Sequence, residues 1–147
     1  MKNFAATLAA LALFSLPLSG LAENSTNIPG YVIHHNAFTT DTLSPEVARH
    51  YNLTRSKNRG MLNVSVIRGI PGQVGHSVPA EVSVQATNLT GQSRGIDMRE
   101  IRDGEAIYYI GDFRITNQET LNFDIEVTPE GESSPYQARL SQQFSID

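Results

Sequence analysis

The sequence predicts an all-β fold, an antiparallel β-sandwich of immunoglobulin-like size with about seven strands and one short helix near residues 45–51. From residue 59 onward, apolar residues recur at every second position, which is the period of a strand with one buried face. Turn residues interrupt these runs at regular intervals, and no helical periodicity returns. A closed barrel has the same pattern, so the sequence leaves sandwich and barrel both open.

The N-terminus has the features of a signal peptide. One basic residue, Lys2, precedes an apolar run over residues 4–16. The segment Gly20-Leu21-Ala22 then places small residues at the two positions that a signal peptidase reads. We expect cleavage after Ala22, which divides the chain into a signal peptide, 1–22, and a single β-sandwich domain, 23–147. The apolar run is shorter than the roughly 20 residues of a spanning helix, so we expect a periplasmic protein with no membrane span in its mature form.

The first elements of the mature chain are a strand and a short helix. Alternation predicts a strand at Tyr31–Phe38. Ser44 then has the properties of a helix N-cap, and Pro45 suits the first helical position, where its missing N–H does no harm. We expect this helix to end near Tyr51. Apolar residues four apart form a stripe that can pack on the sheet, and they are Leu43, Val47 and Tyr51.

The remainder of the chain is predicted to be strands. Six runs with an apolar alternation are bounded by turn residues, and they are Met61–Arg68, Ala80–Leu89, Ile96–Arg102, Glu105–Thr116, Leu121–Val127 and Tyr136–Ile146. Gly111 lies in the middle of one of these strands. A glycine there indicates a bulge or the close approach of another backbone.

Two hairpin registers follow from the turn residues. Asp103-Gly104 is predicted as a two-residue turn, which would place Arg99 opposite Tyr108 and turn the adjacent Tyr109 inward. Matching the apolar faces of the last two strands places Asp124 opposite Arg139 on the outer face.

Composition excludes several classes of protein. The chain has no Cys, which excludes disulfides, thiolate zinc sites, iron–sulfur clusters and cysteine nucleophiles. The formal net charge is −4, so overall charge does not favour nucleic acid. Neither a glycine-rich phosphate loop nor a nucleophile elbow is present. We therefore expect no cofactor.

Residues 49–59, here called the basic segment, are the one electrostatic anomaly, because they hold four basic residues and no acid. Tyr108 is a second candidate, because a surface tyrosine beside an arginine is a frequent interface anchor. The predicted interaction surface consists of Arg49, Arg55, Lys57, Arg59 and Tyr108. The alternative is that Arg55, Lys57 and Arg59 only pair with acids elsewhere in the fold, such as Glu100, Glu105 and Asp112.

Metal and hydrolytic chemistry have weaker candidates. His34 and His35 are adjacent, but successive residues of a strand point to opposite faces, so both bind one ion only if the strand is bulged. Asp112 and Asp124 are the best carboxylate pair for acid–base catalysis, provided that their strands are neighbours.

Five segments of the chain resemble a family of small exported bacterial proteins, domain of unknown function 4426. They are residues 31–38, 43–48, 55–59, 86–91 and 105–109, with the sequences YVIHHNAF, LSPEVA, RSKNR, ATNLTG and EAIYY. The resemblance covers nearly all of the mature chain. It implies a single β-sandwich domain outside the cytoplasm and brings with it no activity, ligand or catalytic residue.

These observations favour a non-enzymatic binding or accessory module that contacts an anionic partner or ligand. A metal-dependent or hydrolytic protein using His34, His35 and carboxylates is the alternative. We expect a monomer or a weak oligomer that binds neither nucleic acid nor a cofactor.

Overall fold

The computed structural model describes residues 24–146, so the predicted signal peptide at 1–22 lies outside the described residues. The described chain forms two antiparallel sheets that face each other, which confirms the sandwich and excludes the barrel. One sheet has the order β1-β2-β3-β8-β7, with β4 also paired to β3, and the other has the order β10-β9-β5-β6. The strands are β1 Ser25–Ile28, β2 Tyr31–Thr39, β3 Arg59–Arg68, β4 His76–Ser77, β5 Ala80–Asn88, β6 Ser93–Ile96, β7 Arg99–Asp103, β8 Ala106–Arg114, β9 Glu119–Pro129 and β10 Tyr136–Phe144.

The core lies between the two sheets and is built from the inward face of each strand. Its largest fully buried side chains come from β2, β3 and β9, and they are Ile33, Leu62, Leu121, Phe123 and Ile125. Tyr109 also faces inward, as predicted, and is only 6% exposed. Its hydroxyl donates to Glu100 Oε1 at 3.0 Å and accepts from the Ala80 amide at 2.8 Å, which ties the two sheets together.

The structure has more strands than the sequence predicts, because three short ones carry little periodicity. β1 is polar, β4 is two residues long, and the run predicted at Ile96–Arg102 is divided between the two sheets. The chain crosses from β6 to β7 at Asp97 and Met98 directly over Gly111. A Cβ on Gly111 would lie 2.6 Å from Met98 Sδ and 2.7 Å from the Asp97 carbonyl oxygen. The expected close approach at Gly111 is therefore confirmed.

One of the two predicted hairpin registers is confirmed. Asp124 lies opposite Arg139 in the β9–β10 pair. The turn predicted at Asp103-Gly104 is wrong, because Asp103 still pairs with Ala106 and the turn residues are Gly104 and Glu105.

The physical reason for this difference is the glycine position. Gly104 has φ +59°, and a positive φ at the first central residue alone is the requirement of a type II′ turn. The register moves by two residues, so Ile101, and not Arg99, lies opposite Tyr108. A shift of two keeps every side chain on its predicted face, which is why Tyr109 still points inward.

A helical excursion joins β2 to β3. A 3-10 helix at Thr40–Thr42 precedes α1, Pro45–His50. The predicted N-cap is confirmed, because the Val47 amide donates to Ser44 Oγ at 3.2 Å. Ala48 in α1 is buried, and Val47 of the same helix faces the outer side of the sheet that contains β2, β3 and β8. Within residues 24–146, no helix has the length and hydrophobicity needed to cross a membrane.

Candidate functional site

The excursion at residues 40–58 is held in place by two polar side chains. Thr40 is fully buried, and its hydroxyl contacts the Thr54 and Ser56 carbonyl oxygens at 2.8 and 3.1 Å while accepting from the Ser56 amide at 2.9 Å. Arg55 reaches back to the start of α1, where its guanidinium donates to the Leu43 carbonyl at 2.7 Å and the Asp41 carbonyl at 3.1 Å. Arg55, predicted as part of the interaction surface, thus has a structural role.

Two arginines lie directly opposite each other at the end of the sandwich below this excursion. Arg59 begins β3 and Arg114 ends β8, and the two are register partners on the outer face of the sheet. Like charges directly opposite in a ladder repel each other and destabilise the pair. Asp112 neutralises only one of them, because it binds Arg59 with Oδ2–Nη2 and Oδ2–Nε distances of 2.5 and 3.0 Å. The alternative that Arg59 pairs with an acid is confirmed, and among residues 24–146 no acid forms a salt bridge with Arg114.

A shallow depression of about 660 Å³ surrounds this arginine pair. We call it the basic corner, and its lining is Thr54, Ser56, Asn58, Arg59, Arg114, Ile115, Thr116, Asn117 and Ile146. Hydroxyl and amide groups thus stand beside two guanidinium groups, and Lys57 follows along the same loop. Guanidinium, hydroxyl and amide groups can all donate hydrogen bonds to a carboxylate, sulfate or phosphate oxygen.

A third arginine supports the corner from behind. Arg94 donates to the Arg114 carbonyl at 2.5 Å, and its guanidinium lies 5.9 Å from the centre of the Phe113 ring. The carboxylate of Glu119 is 3.9 Å away, which offsets the charge of Arg94. Arg94 therefore fixes the backbone that carries Arg114.

A second concavity lies between α1 and the outer face of the sheet. We call it the α1 groove; it has a volume of about 260 Å³ and is lined by Phe38, Leu43, Val47, Tyr51, Met61, Asn63, Ile101, Asp103, Tyr108 and Ile110. The predicted apolar stripe of the helix forms one wall of it. Tyr108 is half-buried here, and it is separate from the basic corner.

Tyr51 and Asp103 lie close together at one end of the groove. Burial raises the pKa of the Tyr51 hydroxyl, and the neighbouring Asp103 carboxylate raises it further. At the floor, the Asn63 Oδ1 atom is buried and has no hydrogen-bond partner among residues 24–146.

The five residues of the predicted interaction surface do not form one patch. Arg59 lies in the basic corner with Lys57 beside it, Arg55 braces α1, and Tyr108 lines the α1 groove. Arg49 is exposed in the last turn of α1. Sequence reasoning missed Arg94 and Arg114, because only the non-local pairing of β3 with β8 reveals that Arg114 faces Arg59.

The histidines and carboxylates considered for metal or hydrolytic chemistry are kept apart. His34 faces outward, whereas His35 lies in the core. Asp112 binds Arg59 in one sheet, and Asp124 binds Arg139 in the other, so their strands are not neighbours and the condition for this carboxylate pair is not met. Within residues 24–146, no three His, Cys, Asp or Glu side chains converge as metal ligands would.

Comparison with known proteins places this fold in a family. The family called Domain of unknown function (DUF4426) matches residues 25–147. A crystal structure of a DUF4426 family protein from Pseudomonas aeruginosa PAO1 is 30% identical, with a TM-score of 0.72, covering 85% of this chain and 96% of that one. No curated protein is similar enough to match the chain.

More distant solved structures share the architecture alone. FetP from uropathogenic Escherichia coli strain F11, which was recombinantly expressed in the periplasm of E. coli, is 9% identical with a TM-score of 0.60, covering 84% of this chain and 93% of FetP. A copper-bound variant of FetP gives 10% identity and the same TM-score, covering 84% of this chain and 95% of the variant. At this identity the comparison shows a shared fold, and the bound copper is a feature of the FetP variant.

Proposed function

This chain belongs to the DUF4426 family, and we propose that it is an exported, non-enzymatic binding module that holds an anionic group of a ligand or partner at its basic corner. Export rests on the signal-peptide features of residues 1–22, with cleavage after Ala22 and a mature periplasmic domain at 23–147. The periplasmic expression of FetP, which has a similar fold, supports this location.

The single observation that supports anion binding most strongly is the cross-strand pair of Arg59 and Arg114. Like charges at register-partner positions repel each other, and Asp112 offsets the charge of Arg59 only. An anion between them removes this repulsion and gains charge-assisted hydrogen bonds from both guanidinium groups. The neutral donors of Thr54, Asn58 and Asn117 then satisfy further oxygens of the same group.

The side chains of the basic corner are suited to binding an anionic group. Arginine is always charged, and its planar fork of donors matches carboxylate and phosphate oxygens in pairs. Asp112 orients Arg59 by accepting from both Nε and Nη2. Lys57 and Arg114 add positive charge beside the Arg59–Asp112 ion pair. This charge favours the approach of an anion, and the effect depends on ionic strength.

Anion titration of the mature chain tests this function. We expect citrate or inorganic pyrophosphate to bind at low ionic strength, as measured by calorimetry, and to bind more weakly as salt is added. Arg114→Gln should reduce affinity by about tenfold, which corresponds to the loss of about one charged hydrogen bond. The substitution leaves the Arg59–Asp112 bridge and the Arg55 brace in place.

Arg139→Gln is the matched control, because Arg139 is an exposed arginine on the other sheet, paired with Asp124. It should bind both probes as the wild type does. Equal affinity of wild type and Arg114→Gln, with folding unchanged by circular dichroism, would exclude the corner as the site. Failure of both probes to bind at low salt would count equally against it.

A further inference from the structure

The α1 groove is a preformed cavity, and its walls are fixed by contacts that do not depend on an occupant. The Arg99 guanidinium donates to the Tyr51 carbonyl, which attaches the end of α1 to the edge strand β7. Arg55 holds the chain before α1 through the Leu43 carbonyl, and Thr40 holds the chain after it. A cavity with fixed walls requires little ordering when a ligand binds.

The groove is apolar along its length and negatively charged at one end. Met61 and Ile110 form a buried floor, and Val47 on the helix is 39% exposed although it faces this apolar surface. Asp103 is the one ionised group that lines the groove, and within residues 24–146 it forms no salt bridge. The aromatic rings of Tyr51 and Tyr108 line the same cavity.

A carboxylate together with tyrosine rings favours a positively charged ligand. A cation gains Coulomb energy from the carboxylate and cation–π attraction from the ring faces. An anion would be repelled by the exposed carboxylate of Asp103, and a neutral apolar molecule would gain no Coulomb energy from it. The volume of about 260 Å³ lies just below the range of roughly 300–1,000 Å³ of drug-sized pockets. The occupant is therefore small.

We propose that the α1 groove binds a small organic cation, an ammonium group on an apolar chain, with the ammonium at Asp103 and the chain over Met61 and Ile110. This site is separate from the basic corner and takes ligands of the opposite charge. Its existence does not depend on the proposed anion-binding function.

The two methionines of the described chain provide a built-in reporter. Met61 lines the groove, whereas Met98 packs against the core between the sheets. The mature protein labelled with ¹³C at the methionine methyl groups is titrated with hexylamine, hexanol and hexanoate at constant pH and ionic strength. We expect hexylamine to shift the Met61 signal to saturation and to leave the Met98 signal in place.

The dependence on charge is tested with variants of two aspartates. We expect hexylamine to bind up to about fivefold tighter than hexanol, because fivefold is the upper end for a partly exposed ion pair, and hexanoate to bind weakest. Asp103→Asn should remove this preference while hexanol affinity is retained. Asp97→Asn, which removes an exposed carboxylate outside the groove lining, should keep it.

Three results would overturn the proposal. They are hexanol or hexanoate binding as tightly as hexylamine, a preference for hexylamine that survives Asp103→Asn, and the absence of any shift at Met61 with all three probes. Because Arg114→Gln leaves the groove untouched, it should bind hexylamine normally. Failure of the anion-binding function and failure of this proposal are thus distinguishable.

Discussion

The buried imidazole of His35 makes the stability of this protein dependent on pH. His35 is 4% exposed, its Nε2 lies 2.9 Å from Thr26 Oγ1, and its Nδ1 is buried without a partner among residues 24–146. Burial lowers the pKa of His35 below its ordinary value of about 6.5, and the neighbouring His34 lowers it further. The folded protein therefore keeps this ring neutral where the unfolded chain protonates it.

The direction and size of the effect follow from proton linkage. A neutral His35 contributes fully to stability above the unfolded pKa near 6.5, and this contribution is lost as pH falls from there towards the lower folded pKa. Within that window, each pH unit lowers the free energy of unfolding by up to about 1.4 kcal/mol. A total stability of about 5–15 kcal/mol makes such a slope measurable.

Urea unfolding between pH 8 and pH 5 measures this slope. His35→Gln removes the titrating group and retains an amide that can contact Thr26, so the variant should be less stable at pH 8 but lose less stability on acidification. His34→Gln, which changes an outward-facing ring, should keep most of the wild-type slope. If wild type and His35→Gln lose stability in parallel below pH 6.5, the argument from burial is refuted.

Two further substitutions test the packing that positions the sites. Gly111→Ala should lower the free energy of unfolding by about 1–3 kcal/mol, because the added Cβ would meet Met98 Sδ and the Asp97 carbonyl oxygen where the chain changes sheets. Urea unfolding measures this loss. A loss below about 0.5 kcal/mol would contradict the close approach at Gly111. Thr40→Val should lower the free energy of unfolding by about 1–3 kcal/mol, because it leaves the half-buried Ser56 amide without its acceptor. Calorimetry measures the loss, with the exposed Thr90→Val as control. An unchanged melting temperature would contradict the role of this hydroxyl.

Local sequence signals predict a large part of this fold. The alternation in β9 and β10 is strong enough to give the register of Asp124 with Arg139, because a one-residue slip would expose every core side chain of the strand. Ser44 and Pro45 predict the start of α1 because capping and a fixed φ are properties of single residues. Such signals act over a few residues and can be read without the tertiary structure.

The candidate sites depend on contacts that no local signal contains. Arg59 and Arg114 are far apart in sequence, and their opposition follows from the pairing of β3 with β8, which no short turn connects. The hairpin after β7 also shows the limit of a turn motif. Asp103-Gly104 and Gly104-Glu105 are both acceptable two-residue turns, and the choice between them moves Tyr108 from beside Arg99 to opposite Ile101.

The excursion between β2 and β3 links the two proposed sites mechanically. Thr54 and Ser56 line the basic corner, and both are hydrogen-bonded to the buried hydroxyl of Thr40. The same excursion carries Leu43, Val47 and Tyr51, which form the helical wall of the α1 groove.

Loosening the Thr40 contacts therefore disturbs both cavities at once, whereas changes at Arg114 or Asp103 act on one cavity each. A Thr40→Val protein that remains folded should bind citrate and hexylamine more weakly together. The single-site variants should separate the two affinities. Independent loss of only one affinity in Thr40→Val would show that the excursion does not act as a unit.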